Sequence, residues 1–165
     1  MVAIRVNVTV PKEVLNSQAV VEALKRMLRT QTAPDLRQMF QGTTEGWKSR
    51  PGWFQRYEFQ TGRLSAFVFP TGNAASTYAL VNAGSPPHTI RRRRSPTLRF
   101  QTGYRPATTP RVLTSRAAAR SGEVITPTQV RHPGFEAREF DATIAERYQP
   151  VFEFDVQNTI NKAAR

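Results

Sequence analysis

The sequence predicts an α+β fold: a small mixed or antiparallel sheet packed by an N-terminal amphipathic helix and a C-terminal helix, with a long basic arm. Residues Val2 to Val10 alternate between apolar and polar side chains, which is the period of a half-buried strand. From about Val14 to Thr30 the apolar residues instead recur at helical spacing. Strand and helix patterns in separate stretches are typical of an α+β domain.

A β-hairpin is predicted in the middle of the chain. Phe54 to Gln60 and Arg63 to Phe69 are rich in aromatic and β-branched residues, and Thr61-Gly62 between them suits a tight turn. Trp47 and Trp53, which precede this region on either side of Pro51, are expected to seal the edge of the core.

Two further helices are predicted around the hairpin. Thr32, followed by Pro34, is typical of the cap of a short helix that ends at Gly42. The C-terminal helix can be capped by Asp141, and Pro150 must kink or restart it. Its apolar stripe consists of Ile144, Tyr148, Val151, Phe152, Val156 and Ile160.

A short helix, a rigid turn and a strand are predicted from Tyr78 to Phe100. Ser76 or Thr77 can cap the helix, and Gly84 supplies the left-handed residue that ends it. A histidine at a Pro/Gly turn occurs here and again near residue 132, and we expect both histidines to donate to backbone carbonyls in structural turns. The residues of these turns are Gly84, Pro86, Pro87, His88, His132, Pro133 and Gly134.

The length favours a single domain over residues 1–165, because 165 residues are enough for one core and too few for two. The core should span about 1–100 and 123–165, with Leu98 and Phe100 in a short strand and Val124-Ile125 returning to the sheet. The stretch of about 101–122 is poor in apolar residues. We expect it to be an extended arm that is mobile in the free subunit and orders on contact with a partner.

The composition is strongly basic, with a formal net charge of +12. Such a charge favours an anionic partner: nucleic acid, membrane headgroups or the acidic face of a protein. The absence of cysteine excludes disulfides, thiolate metal sites and cysteine nucleophiles. There is no run of about 18 apolar residues, and the N-terminus lacks a basic segment followed by an apolar block, so neither a transmembrane helix nor a secretory signal is predicted. We expect synthesis and use in the cytosol.

The positive charge is concentrated in one segment. Between Pro86 and Arg131 there are ten arginines, no lysine and one acid, whereas residues 136–165 hold six acids and four bases. Arginine without lysine favours bidentate contacts with carboxylate or phosphate. The asymmetry permits head-to-tail contacts that close a ring of identical subunits. The candidate inter-subunit contacts are Arg91, Arg92, Arg93, Arg94, Arg105, Arg111, Arg116 and Arg120.

Two other interpretations of these arginines stay open. The segment can be a solvated basic loop, or it can bind nucleic acid by neutralising phosphates without reading sequence. Tyr104 is the only aromatic residue of the arm, so a base-stacking platform is poorly supported there. The alternative function is therefore that of a small, basic, sequence-independent nucleic-acid-binding protein.

The usual signatures of an enzyme are missing from the sequence. There is no convincing nucleophile with a base, metal cluster or phosphate-binding loop, and Asp35, Glu45 and Glu58 are too scattered for acid-base chemistry. His88 and His132 have no nearby pair of carboxylates, which makes a metal site weak. We predict a protein that is not an enzyme and has no cofactor. A hydrolase that uses either histidine is a third hypothesis, for which the sequence suggests no reaction.

The order of these pieces carries a family resemblance over about residues 54–165. The matching residues are Tyr78-x-x-Val-Asn-x-Gly-x-x-Pro-His-x-Ile, then Leu98-Arg-Phe, then Gly103-Tyr, then Val130-x-His-Pro-Gly-x-x-Ala-Arg-x-Phe140. They resemble tailed-bacteriophage minor tail or tail-completion proteins of the neck. The most specific parts are the turn from Asn82 to His88 and the turn from His132 to Gly134, and both shape the fold.

The resemblance implies an α+β subunit of a ring, by analogy a hexamer, at the junction of tail tube and head. It implies a virion protein assembled in the host cytoplasm, with genomic DNA passing through the lumen without sequence-specific binding. The implied partners are copies of the same chain, a tail terminator or tail tube protein, and head-closure or connector proteins, with no membrane. Because DNA must move through the channel, we expect the arginines to contact carboxylates of the adjoining ring and not to line the lumen.

Overall fold

The computed structural model describes residues 4–9 and 18–164, and it confirms the α+β class. The predicted start of the first helix at Val14 and both ends of the first strand, Val2 and Val10, lie outside the described residues. The elements are β1 (Ile4–Thr9), α1 (Gln18–Met27), α2 (Ala33–Thr43), β2 (Gly52–Gln60), β3 (Arg63–Thr71), α3 (Ala75–Ala83), β4 (His88–Arg91), β5 (Phe100–Gln101), β6 (Val124–Ile125), β7 (Gln129–His132) and α4 (Phe140–Ala163).

The main sheet has three antiparallel strands in the order β1-β3-β2. The predicted hairpin is confirmed, because β2 and β3 are joined at Thr61-Gly62 and Gly62 has the positive φ of 77° that this turn requires. Alternate residues of β1 and β3 point into the core, among them the buried Val8, Leu64 and Val68. The helices pack on this inner face of the sheet.

The first two helices form one continuous helical run, so the prediction that Thr32 caps a separate helix is wrong. Leu28–Thr32 is a π-helical turn, Thr32 itself is helical and buried, and the amide of Ala33 donates to the Leu28 carbonyl. Pro34 explains this turn, because it has no amide hydrogen and its ring crowds the carbonyl four residues earlier. The helix therefore takes up one extra residue in this turn and continues beyond it.

An aromatic cluster joins α2, β2, α3 and α4 at the centre of the core. The ring of Tyr78 lies 4.9 Å from that of Trp53 and 5.8 Å from that of Phe140, and Trp53 stacks on Phe40 at 4.6 Å. Trp47 is half-buried with its ring 6.1 Å from Tyr78. Both tryptophans therefore close the core as predicted. Burial raises the pKa of Tyr78 well above its ordinary value, an effect that the Thr43 hydroxyl partly offsets.

The C-terminal helix α4 runs through Pro150 as a single element and does not restart there. Of its predicted stripe, Ile144 and Tyr148 are buried, and Phe152, Val156 and Ile160 pack partly against the core. Val151 was wrongly assigned to the stripe, because 47% of it is exposed. After the first three turns of α4, the residues that face the core shift round the helix axis. Position 151 therefore faces away from the core.

The cap predicted for the start of α3 is wrong. The helix α3 begins at Ala75 after Ala74, with no side-chain cap, so neither Ser76 nor Thr77 serves; Gly84, with φ of 77°, does end it. The helix α4 begins after Glu139, so Asp141 lies in its first turn and not at the N-cap, but Oδ1 of Asp141 does accept from the Ala142 amide at 2.9 Å. The amide of Asp141 donates to Oδ1 of Asn82 at 3.2 Å, so a second free amide is satisfied from another helix, where local sequence cannot show it.

Four short strands form two further antiparallel sheets, β4 with β7 and β5 with β6. Val124-Ile125 therefore pairs with Phe100-Gln101 and does not return to the main sheet, which corrects the prediction. Leu98 lies just outside β5 and donates its amide to the Pro127 carbonyl at 2.8 Å. Two-residue strands carry too little apolar pattern to assign a sheet from sequence.

The structure does not confirm an extended arm over 101–122. The two halves of this stretch pair with each other, since Arg105 and Ala119 exchange backbone hydrogen bonds of 2.8 and 3.2 Å. The stretch also contacts the core, because the amide of Gly46 donates to Oγ of Ser115 at 2.6 Å. A Cβ at Gly46 would overlap the Arg116 carbonyl. Leu113 also packs partly against the core, so the stretch is held by hydrogen bonds and by one apolar contact.

Candidate interaction site

The basic segment forms a lobe with almost no interior of its own. We define the basic lobe as residues 86–131, which include β4 to β7 and the folded-back stretch between β5 and β6. Thr108 is its only buried residue, and all ten of its arginines are exposed. Ordering such a lobe depends on backbone hydrogen bonds and on contacts with the rest of the chain or with a partner.

The lobe arginines have few carboxylate partners in their own chain. Within residues 4–9 and 18–164, only Arg111 of the ten forms an ion pair, with Nε 2.9 Å from Oε2 of Glu139. This hydrogen bond raises the pKa of Arg111. The pair is largely exposed, so it contributes little to stability. Arg111 thus meets a carboxylate of its own chain, whereas the prediction gave it an inter-subunit role.

The other seven candidate contacts fall into two groups. Arg91 to Arg94 begin at the end of β4 and are exposed, and Arg92 Nη1 donates to the Pro96 carbonyl at 2.7 Å. Arg105, Arg116 and Arg120 lie on the folded-back stretch, where the guanidinium of Arg120 is 5.8 Å from the ring centroid of Tyr104. The run of four arginines is the densest charge on the lobe. It is therefore the strongest candidate for contact with an acidic surface.

The two histidine turns lie side by side, which sequence reasoning missed. His88 and His132 are directly paired across β4 and β7, and their rings stack with centroids 4.9 Å apart. Nδ1 of His88 lies 2.9 Å from the Pro86 carbonyl, in line with its predicted role. His132 instead accepts, because the amide of Gly134 donates to its Nδ1 at 3.0 Å. Each side chain stabilises its own turn. The pairing register of β4 and β7 places the two turns side by side.

These turns attach the lobe to the core. Ser85 and Phe135 exchange backbone hydrogen bonds of 3.0 and 2.9 Å next to the histidine pair. Gly134 has φ of 81°, and a Cβ there would overlap the Ser85 carbonyl. The predicted structural role of the two turns therefore rests on close backbone approach, which glycine permits.

The helix α4 carries a surface complementary to the lobe. Glu146 and Glu153 are exposed on it, as are the apolar side chains of Val151 and Phe154, the latter with 66% exposure. On the lobe, Ile90, Val124 and Ile125 are exposed apolar residues beside the arginines. Arg147 is also exposed on α4. The α4 surface therefore combines two acids and one arginine with apolar side chains, and the lobe surface combines arginines with apolar side chains.

A second basic surface, which the sequence analysis missed, is the outer face of the main sheet. Strand alternation and register bring cationic and aromatic side chains together there. The outer sheet face consists of Arg5, Asn7, Thr9, Phe54, Arg56, Glu58, Gln60, Arg63, Ser65, Phe67 and Phe69. Alternation was visible in the first strand, but only the pairing register aligns the three strands.

The structure offers little for catalysis in the residues it describes. There, no three His, Cys, Asp or Glu side chains gather closely enough to hold a metal ion. A groove of about 570 Å³ between α2 and the start of β2 holds one carboxylate, Glu45, beside Arg37 and Arg50.

None of the described helices is long and apolar enough to cross a membrane.

Comparison of the chain with protein-family models, curated proteins and solved structures finds no match.

Proposed function

We propose that this chain is a structural subunit of the bacteriophage neck, a tail-completion or minor tail protein. Copies of it form a ring that joins the tail tube to the head-closure complex and lets DNA pass. The observation that carries the proposal is the basic lobe, which has ten exposed arginines and one buried residue, and whose arginines meet a single carboxylate among the described residues. Such a surface is suited to an acidic partner, not to a substrate.

Charge complementarity within the chain supports a ring of identical subunits. The lobe arginines and the exposed Glu146 and Glu153 of α4 lie on different elements, so one copy can present the lobe to the helix of the next. Contacts between two different patches are heterologous, and they close into a ring when the rotation per subunit allows it. The exposed Phe154, next to Glu153, adds apolar area beside the acids.

The family resemblance of the two turns supports the location in the neck. Those turns, Asn82 to His88 and His132 to Gly134, are the parts that join the lobe to the core in this fold. A rigid sheet-and-helix core with a projecting charged lobe is what a ring subunit needs to contact its neighbours. Directing the run from Arg91 to Arg94 at protein carboxylates leaves the channel free for DNA.

Charge reversal tests the assembly. Arg93→Glu with Arg94→Glu should convert rings into monomers in sedimentation velocity and negative-stain electron microscopy, because like charges then meet across the interface. Adding Glu146→Arg and Glu153→Arg to the same chain should restore rings. Arg26→Glu with Arg37→Glu reverses two exposed charges outside the lobe and should leave assembly unchanged.

Localisation tests the neck assignment. Antibody-labelled electron microscopy of virions that carry this gene should place the protein where the tail meets the head. Its absence from purified virions would overturn the neck function. A wild-type protein that stays monomeric, or lobe variants that assemble like wild type, would overturn the lobe-to-helix interface.

A further inference from the structure

We infer that the outer sheet face binds single-stranded nucleic acid without reading its sequence. The feature that suggests it is a row of three side chains across the sheet, Arg5 on β1, Phe67 on β3 and Arg56 on β2. Both guanidinium carbons lie 5.1 Å from the centroid of the Phe67 ring. The ring therefore holds two cations that come from the strands on either side of it.

This arrangement leaves the guanidiniums able to bind phosphate. Stacking on an aromatic ring occupies the flat face of an arginine side chain, whereas its N–H groups lie at the edge. Arg5 is exposed and forms no ion pair among the described residues, so its edge is open to solvent; Arg56 is also exposed, with its Nη2 paired to Glu58. A guanidinium that is already held in place loses less entropy when it forms a bidentate contact with a phosphate.

An exposed aromatic pair lies next to the arginine row. Phe54 and Phe69 are directly paired across β2 and β3, with ring centroids 5.5 Å apart. Phe54 lies near the start of the edge strand β2 and is 55% exposed, so its ring is open to a ligand. A flat ring beside a cationic row is the combination on which single-stranded nucleic acids stack their bases and place their phosphates.

The charges on this face argue against a second copy of the chain as its partner. Arg5, Arg56 and Arg63 are its cations, and Glu58 is its only acid. Glu58 already pairs with Arg56 at 2.7 Å, so it does not compensate another cation. Two such faces brought together would place like charges opposite each other.

The aromatic content distinguishes this face from the basic lobe. The basic lobe has Phe100 and Tyr104 as its aromatic residues among 46 positions, whereas the sheet face has three phenylalanines among its eleven residues. An acidic protein surface needs cations but no flat rings, and unpaired bases need both. The lobe therefore suits carboxylates, and the sheet face suits a single strand. The two inferences rest on different residues and can fail separately.

The test is fluorescence anisotropy of the full chain with labelled oligothymidylate over a series of salt concentrations. Wild type should bind, with affinity falling as salt rises. Phe54→Ala should weaken binding by about 5- to 150-fold, the usual effect of losing one stacked base. Arg5→Gln should reduce the slope of log affinity against log salt by about 0.7, the value for one phosphate contact on a single strand.

Matched variants separate stacking from folding. Phe54→Tyr keeps a flat ring and should bind like wild type, whereas Phe54→Leu keeps apolar contact with Phe69 and should be as weak as Phe54→Ala. Arg37→Gln removes an exposed arginine of α2 and should leave affinity and salt slope unchanged. Circular dichroism and thermal unfolding verify that each variant is folded.

Three results would overturn the inference. The first is equal binding of oligothymidylate by wild type, Phe54→Ala and Arg5→Gln. The second is a DNA duplex that binds as tightly as the single strand and depends on Phe54 to the same degree. The third is polyglutamate that displaces the oligonucleotide with the same dependence on Phe54 and Arg5, which would assign the face to an acidic protein.

Discussion

Replacing Asn82 with alanine is expected to destabilise the protein well beyond the usual effect of one polar side chain. Asn82 is buried at the end of α3, where its Oδ1 accepts from the Asp141 amide at 3.2 Å and its Nδ2 donates to the Asp141 carboxylate at 2.9 Å. The first bond acts as a helix cap for α4, and the second is a hydrogen bond to a charged group. Losing both should cost about 2 to 4 kcal/mol of unfolding free energy.

Urea unfolding followed by circular dichroism measures this loss. A decrease of about 3 kcal/mol in a chain of this size lowers the melting temperature by about 6 to 12 °C. Asn82→Asp keeps an oxygen acceptor but places a second carboxylate against Asp141, so it should be at least as destabilising. Ser76→Ala, on the exposed side of the same helix, should have no measurable effect. A loss below about 1 kcal/mol in Asn82→Ala would refute the view that Asn82 joins α3 to α4.

Three further predictions concern backbone strain and tyrosine burial. Glu139 has φ of 50°, a left-handed conformation that glycine adopts without strain and alanine does not. Glu139→Gly should therefore be more stable than Glu139→Ala by about 1 kcal/mol in urea unfolding. Both variants lose the ion pair with Arg111, so equal stabilities would contradict the reasoning. Gly134→Ala should lose more than about 2 kcal/mol because of its φ and the Ser85 carbonyl, whereas Gly62→Ala, with open space around it, should lose about 1 kcal/mol. Burial raises the pKa of Tyr148 from 10.0 to about 12, so above pH 10 the unfolded chain releases this proton first and stability falls as the pH rises towards 12. Tyr148→Phe should make that fall shallower in unfolding curves taken across this range and leave the part due to Tyr78, whose pKa burial also raises; an unchanged slope would show that Tyr148 does not contribute to it.

Local patterns predicted the parts of the fold that local physics determines. The hairpin of β2 and β3 and the two tryptophans at the core edge were predicted because alternation, turn residues and aromatic size are readable within a few positions. The contact of Asn82 with Asp141 was not. Asn82 and Asp141 are 59 residues apart, and no nearby residue of α4 indicates that its cap comes from α3.

The same distinction applies to the candidate surfaces. The charge of the basic lobe was evident from composition, but its folding back was not, because the contact of Ser115 with Gly46 spans 69 residues. The outer sheet face was missed since its arginines and phenylalanines come from three strands. Only the pairing of Arg5 and Arg56 with Phe67 brings them together as a site.

The length of α4 gives the molecule a mechanical connection between its two ends. At 24 residues the helix is about 36 Å long. Its first turn is bonded to Asn82 beside the attachment of the lobe, and its last turns reach α1, where the Thr159 hydroxyl lies 3.3 Å from the sulfur of Met27. Pro150 removes one internal hydrogen bond near the midpoint, so bending concentrates there. A displacement of the lobe is therefore expected to reach α1 through bending of α4 at Pro150.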